Sequence, residues 1–283
     1  MKGINIKMND KGTLYITDLD GTLLNQFARL SQYSEQSLNE MIADGLNFTV
    51  ATARTPFSTG QILAGLNLNI PIILLNGVII EDTGQKRFIK VNAIAPDTVT
   101  SVIELLRTFE ITGFLYAMKD GRIVTYHETL ERKPLRDFVE ERIAKYYMSY
   151  RHTESFASIS ADCVIYFSLL DTADQLQPIN DALAALPDLK YTMYKDTYTR
   201  DLWFLEIFGA EASKHSAVKY MRETYGFSRI VGFGDNYNDL PMFEACDVRV
   251  AVENAKPEVK AAADFICGTN DGDGVVKWIQ TYY

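Results

Sequence analysis

Asp18-Leu19-Asp20-Gly21-Thr22 sets two carboxylates two residues apart, directly behind the apolar, β-branched run Thr13-Leu14-Tyr15-Ile16-Thr17. That run reads as a buried strand, and Gly21 marks a turn that ends it and crowds both acids into the loop at its carboxyl end. Open α/β sheets bind their ligands beyond the carboxyl ends of the strands. Two acids held there repel each other unless a cation or a proton separates them. This suggests a divalent metal, with one carboxylate as ligand and nucleophile and the other free to move protons. Taken alone, the string is also what a strand followed by an Asp/Gly turn looks like.

Three further elements follow in order. The apolar strand Asn47-Phe48-Thr49-Val50-Ala51 leads into Thr52-Ala53-Arg54, a hydroxyl at a strand end with a cation close behind. Lys214 opens a helical pattern from Ser213 to Tyr225, with Ser213 in the N-cap position. The strand Arg229-Ile230-Val231-Gly232-Phe233 then runs into a second acidic loop, Gly234-Asp235-Asn236-Tyr237-Asn238-Asp239. Each element follows or flanks a strand in a βα repeat, so a parallel sheet would bring all four to one edge. Carboxylates and water suit Mg²⁺, while a hydroxyl, a backbone amide and a lysine suit the oxygens of a phosphoryl group. Read singly, Lys214 is a solvated helix lysine, and Asp235 and Asp239 are N-cap and first-turn acids of a helix through Cys246. Arg54 also suits a pair with a surface acid, and Asn76-Gly77 also reads as a turn.

Together the four elements resemble the haloacid dehalogenase-like hydrolase superfamily. Its motifs are D-x-D-G-T, a Ser or Thr at the second strand end, a Lys, and a G-D-x-x-x-D loop, here in the G-D-x-x-N-D form of the Cof-type branch. The resemblance extends to Asn76-Gly77, to Val250-Ala251-Val252-Glu253-Asn254-Ala255 and to Asp271-Gly272-Asp273-Gly274-Val275. Ala53 and His215 stand where the family commonly has Gly, which alters backbone freedom without removing a catalytic group. The resemblance implies an α/β fold, a Rossmann-like parallel-sheet core with an inserted α/β (α+β) cap. It implies Asp18 as the nucleophile that becomes an aspartyl-phosphate, Asp20 as acid and then base, and Thr52 and Lys214 as holders of the non-bridging oxygens. Asp18 and Asp235, with Asp20 through its carbonyl, would hold Mg²⁺, and Asp239 would ligate through water or orient Lys214. Leu19, Gly21, Ala53, Arg54, Asn76 and Asn238 are candidates for phosphate or substrate contacts.

The implied activity is a Mg²⁺-dependent phosphatase of small phosphorylated metabolites such as sugar phosphates or phosphorylated cofactors. One alternative is a phosphotransferase or mutase, passing the same aspartyl-phosphate to a sugar hydroxyl. Another is a non-enzymatic phosphoacceptor domain, which would need neither a cap nor Asp20. The substrate itself is not legible, because specificity would lie in cap side chains that form no recognisable motif.

The elements that must position these residues fall into two blocks. Residues 11–83 read βαβαβ, with helices near Ser34–Asp44 and Pro56–Gly65 and a third strand Ile70–Leu75. From about residue 209 the alternation resumes and finishes with a helix near Trp278. The predicted core is therefore 1–83 with 209–283, and 84–208 is an insert. In the insert, Ile79 to Lys90 leads in as a hairpin and Asp120-Gly121 is a tight turn between Phe114–Met118 and Arg122–Tyr126. Helices are expected at Pro134–Tyr146 and Thr172–Leu186, and strands at Cys163–Leu169 and Leu189–Tyr194. The aromatic-rich stretch from Tyr191 to Trp203 reads as cap sheet and linker.

At 283 residues, with 47% hydrophobic and 23% charged residues, the chain can bury a large core and two domains. A net charge of −9 argues against nucleic acid or an anionic membrane as partner, since both call for a basic field. No apolar run approaches a membrane span, and residues 1–7 lack the apolar region of a secretory signal, so the cytoplasm is the expected compartment. Cys163, Cys246 and Cys267 lack metal-type spacing and read as buried, reduced thiols. His127, His152 and His215 show no paired spacing. Nothing specifies an assembly, and a monomer is slightly favoured.

Overall fold

The computed structural model describes residues 12–146, 148–196 and 201–283. The reading of residues 1–7 and the 197–200 part of the aromatic-rich stretch lie outside the described residues.

Strand β1 (Thr13–Thr17) is buried at every position, as a strand covered on both faces of a parallel sheet requires. Helix α1 (Gln32–Ala43) starts earlier than expected, because Ser31 and not Ser34 is its N-cap: Ser31 Oγ accepts from Ser34 N–H at 2.9 Å. Gly45, at φ +107°, stops it as expected. Next come β2 (Asn47–Val50), α2 (Pro56–Ile62) and β3 (Ile72–Leu74). The third strand is shorter than expected because Leu75 has left the extended region, at φ +48°. β3 pairs antiparallel with β4 (Ile79–Asp82), which shares a three-stranded sheet with β5 (Arg87–Val91). Its tie to the second strand is a bridge between Ala51 and Ile73 and the Thr52 N–H to Ile73 carbonyl bond at 3.0 Å.

Helix α3 (Pro96–Thr108) was not expected, although Pro96 at its first turn and buried Val99, Val102, Ile103 and Leu106 at helical spacing are its signals. Strands β6 (Phe114–Lys119) and β7 (Arg122–His127) are joined by the expected turn, with Asp120 and Gly121 both at positive φ. There follow α4 (Lys133–Tyr146), the unexpected short β8 (Tyr150–His152), β9 (Val164–Asp171), α5 (Ala173–Leu183), β10 (Leu189–Lys195) and β11 (Trp203–Gly209). The chain closes with α6 (Lys214–Tyr225), β12 (Arg229–Gly234), α7 (Leu240–Glu244), β13 (Val248–Val252), α8 (Pro257–Ala262), β14 (Phe265–Cys267) and α9 (Gly274–Tyr282).

The chain forms two compact units. One comprises residues up to Arg54, Ile62–Ile89 and Lys214–Tyr283; the other comprises Thr55–Gln61 and Lys90–Ser213. Pairing of β5 with the three-stranded sheet carries the first unit a few residues beyond the expected boundary at 84. Thr55 joins the second unit, where its hydroxyl faces Met148 Sδ at 4.0 Å.

The first unit is built on a five-stranded parallel sheet of order β14-β13-β12-β1-β2. The second contains a six-stranded sheet of order β10-β11-β9-β6-β7-β8. One face of that sheet packs Leu115, Phe167, Leu169 and Leu205 against Val102 and Leu106 of α3 and Leu176 and Ile179 of α5. Among the described residues, no helix is long and apolar enough to cross a membrane.

Close approach constrains Gly274. A Cβ on Gly274, at the start of α9, would stand 2.0 Å from the Gly268 carbonyl oxygen, whereas a Cβ on Gly60 in α2 would meet nothing within 4 Å. Gly274→Ala should therefore destabilise the protein by about 1–3 kcal/mol through backbone displacement. Gly60→Ala should stabilise by about 0.5–1 kcal/mol through helix propensity. Melting temperatures of the two variants, shifted in opposite directions from the wild type, check both.

Candidate active site

Strands β1 and β12 are neighbours in parallel register, with Thr17 opposite Phe233, so the loops that follow them leave the sheet side by side. Asp18 N–H donates to the Phe233 carbonyl at 2.9 Å and continues that pairing one step further. The loop then folds onto the Leu19 carbonyl, which accepts from Leu23 and Leu24 N–H at 3.0 and 2.8 Å. Leu19 itself buries its side chain in the core. Gly21 is needed twice over: its φ is +81°, and a Cβ there would stand 2.6 Å from Asp235 Oδ2.

Lys214, the first residue of α6, is the centre of the cluster. Its ammonium donates to Asp18 Oδ1 at 2.6 Å and to Asp239 Oδ1 at 2.7 Å. All three groups are out of water, with Asp18 5%, Lys214 1% and Asp239 0% exposed. Asp239 is held by its other oxygen, Oδ2, which accepts from the N–H groups of Asp235 and Asn236 at 2.9 and 3.1 Å. This is a capping box around a short turn, Tyr237–Asp239. Asp239 thus caps the turn with one oxygen and holds the Lys214 ammonium with the other. The cap itself is Asn236, not Asp235. Asp235 instead turns its Oδ1 to Thr22 Oγ1, which donates at 2.8 Å.

Asp20 stands apart from these acids and is gripped by Arg54, whose Nε and Nη2 donate to its two oxygens at 2.6 Å each. Arg54 therefore pairs with an acid of the candidate site. Thr52 is buried, and its hydroxyl accepts from Arg54 N–H at 3.2 Å; Ala53 between them is half-buried. Asn238 Nδ2 donates to Asn76 Oδ1 at 3.3 Å. Asn76 lies in a left-handed turn with Leu75 and Gly77, a conformation that costs a residue with a Cβ about 1–2 kcal/mol.

The electrostatics show a deficit of positive charge. Burial, opposed by Lys214 but reinforced by Asp239 and Asp20, pushes the Asp18 carboxyl up to about 7. Burial and repulsion from Asp239 and Asp18 push Asp235 well above the usual carboxylate range. Burial pulls the Lys214 ammonium down, but Asp18 and Asp239 outweigh it and hold it above its ordinary value. Asp18, Asp235 and Asp239 each offer an oxygen within 4.8 Å of the others. Three buried carboxylates facing one ammonium suit a hard divalent cation bound through oxygen, so the donor set fits the metal that the sequence implies.

Several positioning groups had no role assigned from the sequence, although Asn254, Asp271 and Asp273 lie in segments that carry the resemblance. Asn254 Nδ2 donates to the Gly21 carbonyl at 2.7 Å, and its Oδ1 accepts from Asn270 N–H at 3.0 Å. Asn270 Nδ2 in turn donates to the Leu24 carbonyl at 2.8 Å. Asp271 accepts from Gln26 N–H at 2.8 Å, and Asp273 Oδ1 accepts from the Ser31 and Ser34 hydroxyls at 2.5 and 2.8 Å. Asn and Asp clustered after strands β13 and β14 were the available signal, since such side chains bind nearby backbone. Thr22 was visible within its motif but had no partner until Asp235 was placed beside it. His215 makes no catalytic contact: its Nδ1 lies 3.7 Å from Glu244 Oε2 and is buried without a hydrogen bond.

Comparison with known proteins gives the family of the chain. A family model of haloacid dehalogenase-like hydrolases matches residues 15–279. The 5-amino-6-(5-phospho-D-ribitylamino)uracil phosphatase YwtE of Bacillus subtilis is 27% identical over 93% of this chain and 95% of its own. Pyridoxal phosphate phosphatase YbhA of Escherichia coli is 25% identical over 94% of this chain and 96% of its own. The crystal structure of a haloacid dehalogenase-like hydrolase from Bacteroides thetaiotaomicron superposes with a TM-score of 0.78 at 26% identity, covering 96% of this chain and 99% of that one. The chain belongs to the haloacid dehalogenase-like hydrolase family, and within it to the phosphoric monoester hydrolases.

Proposed function

We propose that this enzyme is a Mg²⁺-dependent phosphatase of small phosphorylated metabolites, working through an aspartyl-phosphate on Asp18. The observation that carries the reading is the buried Lys214 ammonium, shared by Asp18 and Asp239 with Asp235 alongside. The two curated relatives are named for small phosphate esters, which supports a sugar phosphate or phosphorylated cofactor as substrate. The unpaired thiols of Cys163, Cys246 and Cys267 are compatible with a cytoplasmic enzyme.

Asp18 attacks phosphorus, and Lys214, held by Asp239, lies against the nucleophile where it can also draw a non-bridging oxygen. Thr52 offers its hydroxyl to a second oxygen. Such preset donors stabilise the charge that builds on the phosphoryl group in the transition state. Asp18 and Asp235 would hold Mg²⁺ with the Asp20 carbonyl, and Asp239 would contribute through water or by orienting Lys214; the cation would offset the repulsion between the nucleophile and a phosphate dianion. Arg54 holds both oxygens of Asp20 as a carboxylate here. To act as acid, Asp20 would have to leave that pair and take up a proton from solvent; it would then protonate the leaving alkoxide and, as the carboxylate so formed, take a proton from the water that hydrolyses the acyl-phosphate. Residues 84–208, which contribute none of these groups, act as the substrate-selecting cap.

Phosphate release from a panel of phosphorylated metabolites and one aryl phosphate, with Mg²⁺, tests the reading. Asp18→Asn should abolish turnover on every ester. Asp20→Asn should suffer most on sugar phosphates, whose alkoxides are poor leaving groups, and least on the aryl ester. Equal losses on both ester types would remove Asp20 from the role of acid.

Lys214→Ala should lower kcat/KM by about 3 kcal/mol, the scale of one preorganised donor. A change of less than about threefold in the same assay, or about 0.7 kcal/mol, would leave Lys214 without a part in the transition state.

Metal removal should appear in stability as well as rate. In the metal-free protein Asp18 keeps its proton up to about 7, whereas in the unfolded chain it loses it near pH 4. Between these values the folded state binds the extra proton, so its stability falls as pH rises. Chelated protein should therefore melt lower at about pH 7.5 than at about pH 5, and Mg²⁺ should raise the melting temperature more at the higher pH. Asp18→Asn should flatten that slope. Equal Mg²⁺ effects at both pH values would contradict the charge deficit.

A further inference from the structure

Leu75, Asn76 and Gly77 follow β3 at φ +48°, +53° and +98°, three left-handed residues in succession, all buried. Leucine holds such a conformation only where its surroundings over-determine it. Here the turn directs its backbone donors at one neighbour. Leu75 N–H donates to the Arg54 carbonyl at 3.2 Å and Asn76 N–H to the Thr52 carbonyl at 3.0 Å. Both ends of Thr52-Ala53-Arg54 are thereby tied to the turn. The Asn76 carboxamide oxygen meanwhile accepts from Asn238 Nδ2 at 3.3 Å, and Asn238 belongs to the loop that carries Asp235 and Asp239. The turn also packs against α6, whose first residue is Lys214.

We propose that Asn76 is a positioning residue: through its backbone and carboxamide it sets the spacing between Thr52–Arg54 and the Asp235–Asp239 loop, and so the opening that a phosphoryl group must fit. The inference rests on the phosphatase reading and goes beyond it, because it assigns Asn76 to alignment and not to binding of the phosphate. Asparagine suits the place, since it is the residue with a side chain that best tolerates left-handed backbone and its short carboxamide can reach a neighbour. Asn76 and Asn238 then act as one device.

A double-mutant cycle with two readouts tests this. Asn76→Gly keeps the left-handed backbone and the bond to Thr52 but deletes the carboxamide; Asn238→Leu cuts the same link from the other side. The measurements are kcat on p-nitrophenyl phosphate with Mg²⁺, and the Kd of inorganic phosphate by calorimetry. Misalignment of reacting groups lowers the rate far more than it lowers ground-state binding, so each single variant should lose about tenfold or more in kcat while Kd moves by less than about threefold. The double variant should be no worse than the weaker single, because both remove one link.

Losses that multiply, or a Kd that weakens in step with kcat, would make the two residues independent phosphate ligands and overturn the proposal. An unchanged kcat in Asn76→Gly would overturn it as well. Should Asn76→Gly fail to fold, Asn238→Leu carries the test through the same split between kcat and Kd. A wild-type enzyme that releases no phosphate from the aryl ester would instead overturn the phosphatase reading, which separates the two failures.

Discussion

A single ammonium out of water holds this site together. Lys214 is bound by Asp18 from one strand end and by Asp239 from another, and a charge so deeply buried is tolerable only with such partners. Removing one partner of a buried pair typically costs about 3–5 kcal/mol, because the charge left behind has nothing to replace water. The fold is therefore constrained to bring β1, β12 and the start of α6 to one point. The pairing of β1 with β12 does so through backbone bonds alone, and the capping box fixes Asp239 with two more. Local helix chemistry and the geometry of the site are here the same set of hydrogen bonds.

The cluster is nonetheless poised and not satisfied. Three carboxylates surround one ammonium, and two of the acids are pushed up by burial and mutual repulsion. A protein that sought stability alone would replace one of them, since well-packed apolar groups often match or exceed a buried ion pair. The excess negative charge suits the pocket to a cation. Asp20 is kept out of this crowd by its own counter-ion, Arg54, so two carboxylates two residues apart experience opposite environments.

The C-terminal segment explains how a loop near the amino end stays rigid across a long insertion. Asn254 and Asn270 clamp the carbonyls of Gly21 and Leu24, and Asp273 binds the serines that open α1. With β1 lying between β2 and β12, the two sequence blocks interlock within one sheet. An insertion between them is thermodynamically tolerable, since lengthening a connection adds little to its closure entropy.

The chemistry was legible in the sequence because it depends on residue type and order. D-x-D-G-T, Thr52 and the acidic loop stood behind apolar runs that read as buried strands, and Lys214 opened a helical pattern. The same patterns placed Gly21, Gly45 and the Asp120-Gly121 turn, where a positive φ leaves few residues to choose from. Helix α3 and the Ser31 cap were also within reach of periodicity and capping rules. Other features were not, because they are pairings between residues far apart in the chain, and no local pattern encodes a partner. Thr22 with Asp235, Asp20 with Arg54, and Asn254 with Gly21 are of this kind. So is the left-handed Leu75, whose apolar neighbours read as one more turn of strand. Its conformation is set by the Thr52 and Arg54 carbonyls that it must reach. The residues determined which groups are present; the tertiary structure alone decided which of them lie together and out of water, because that depends on contacts between segments far apart in the chain.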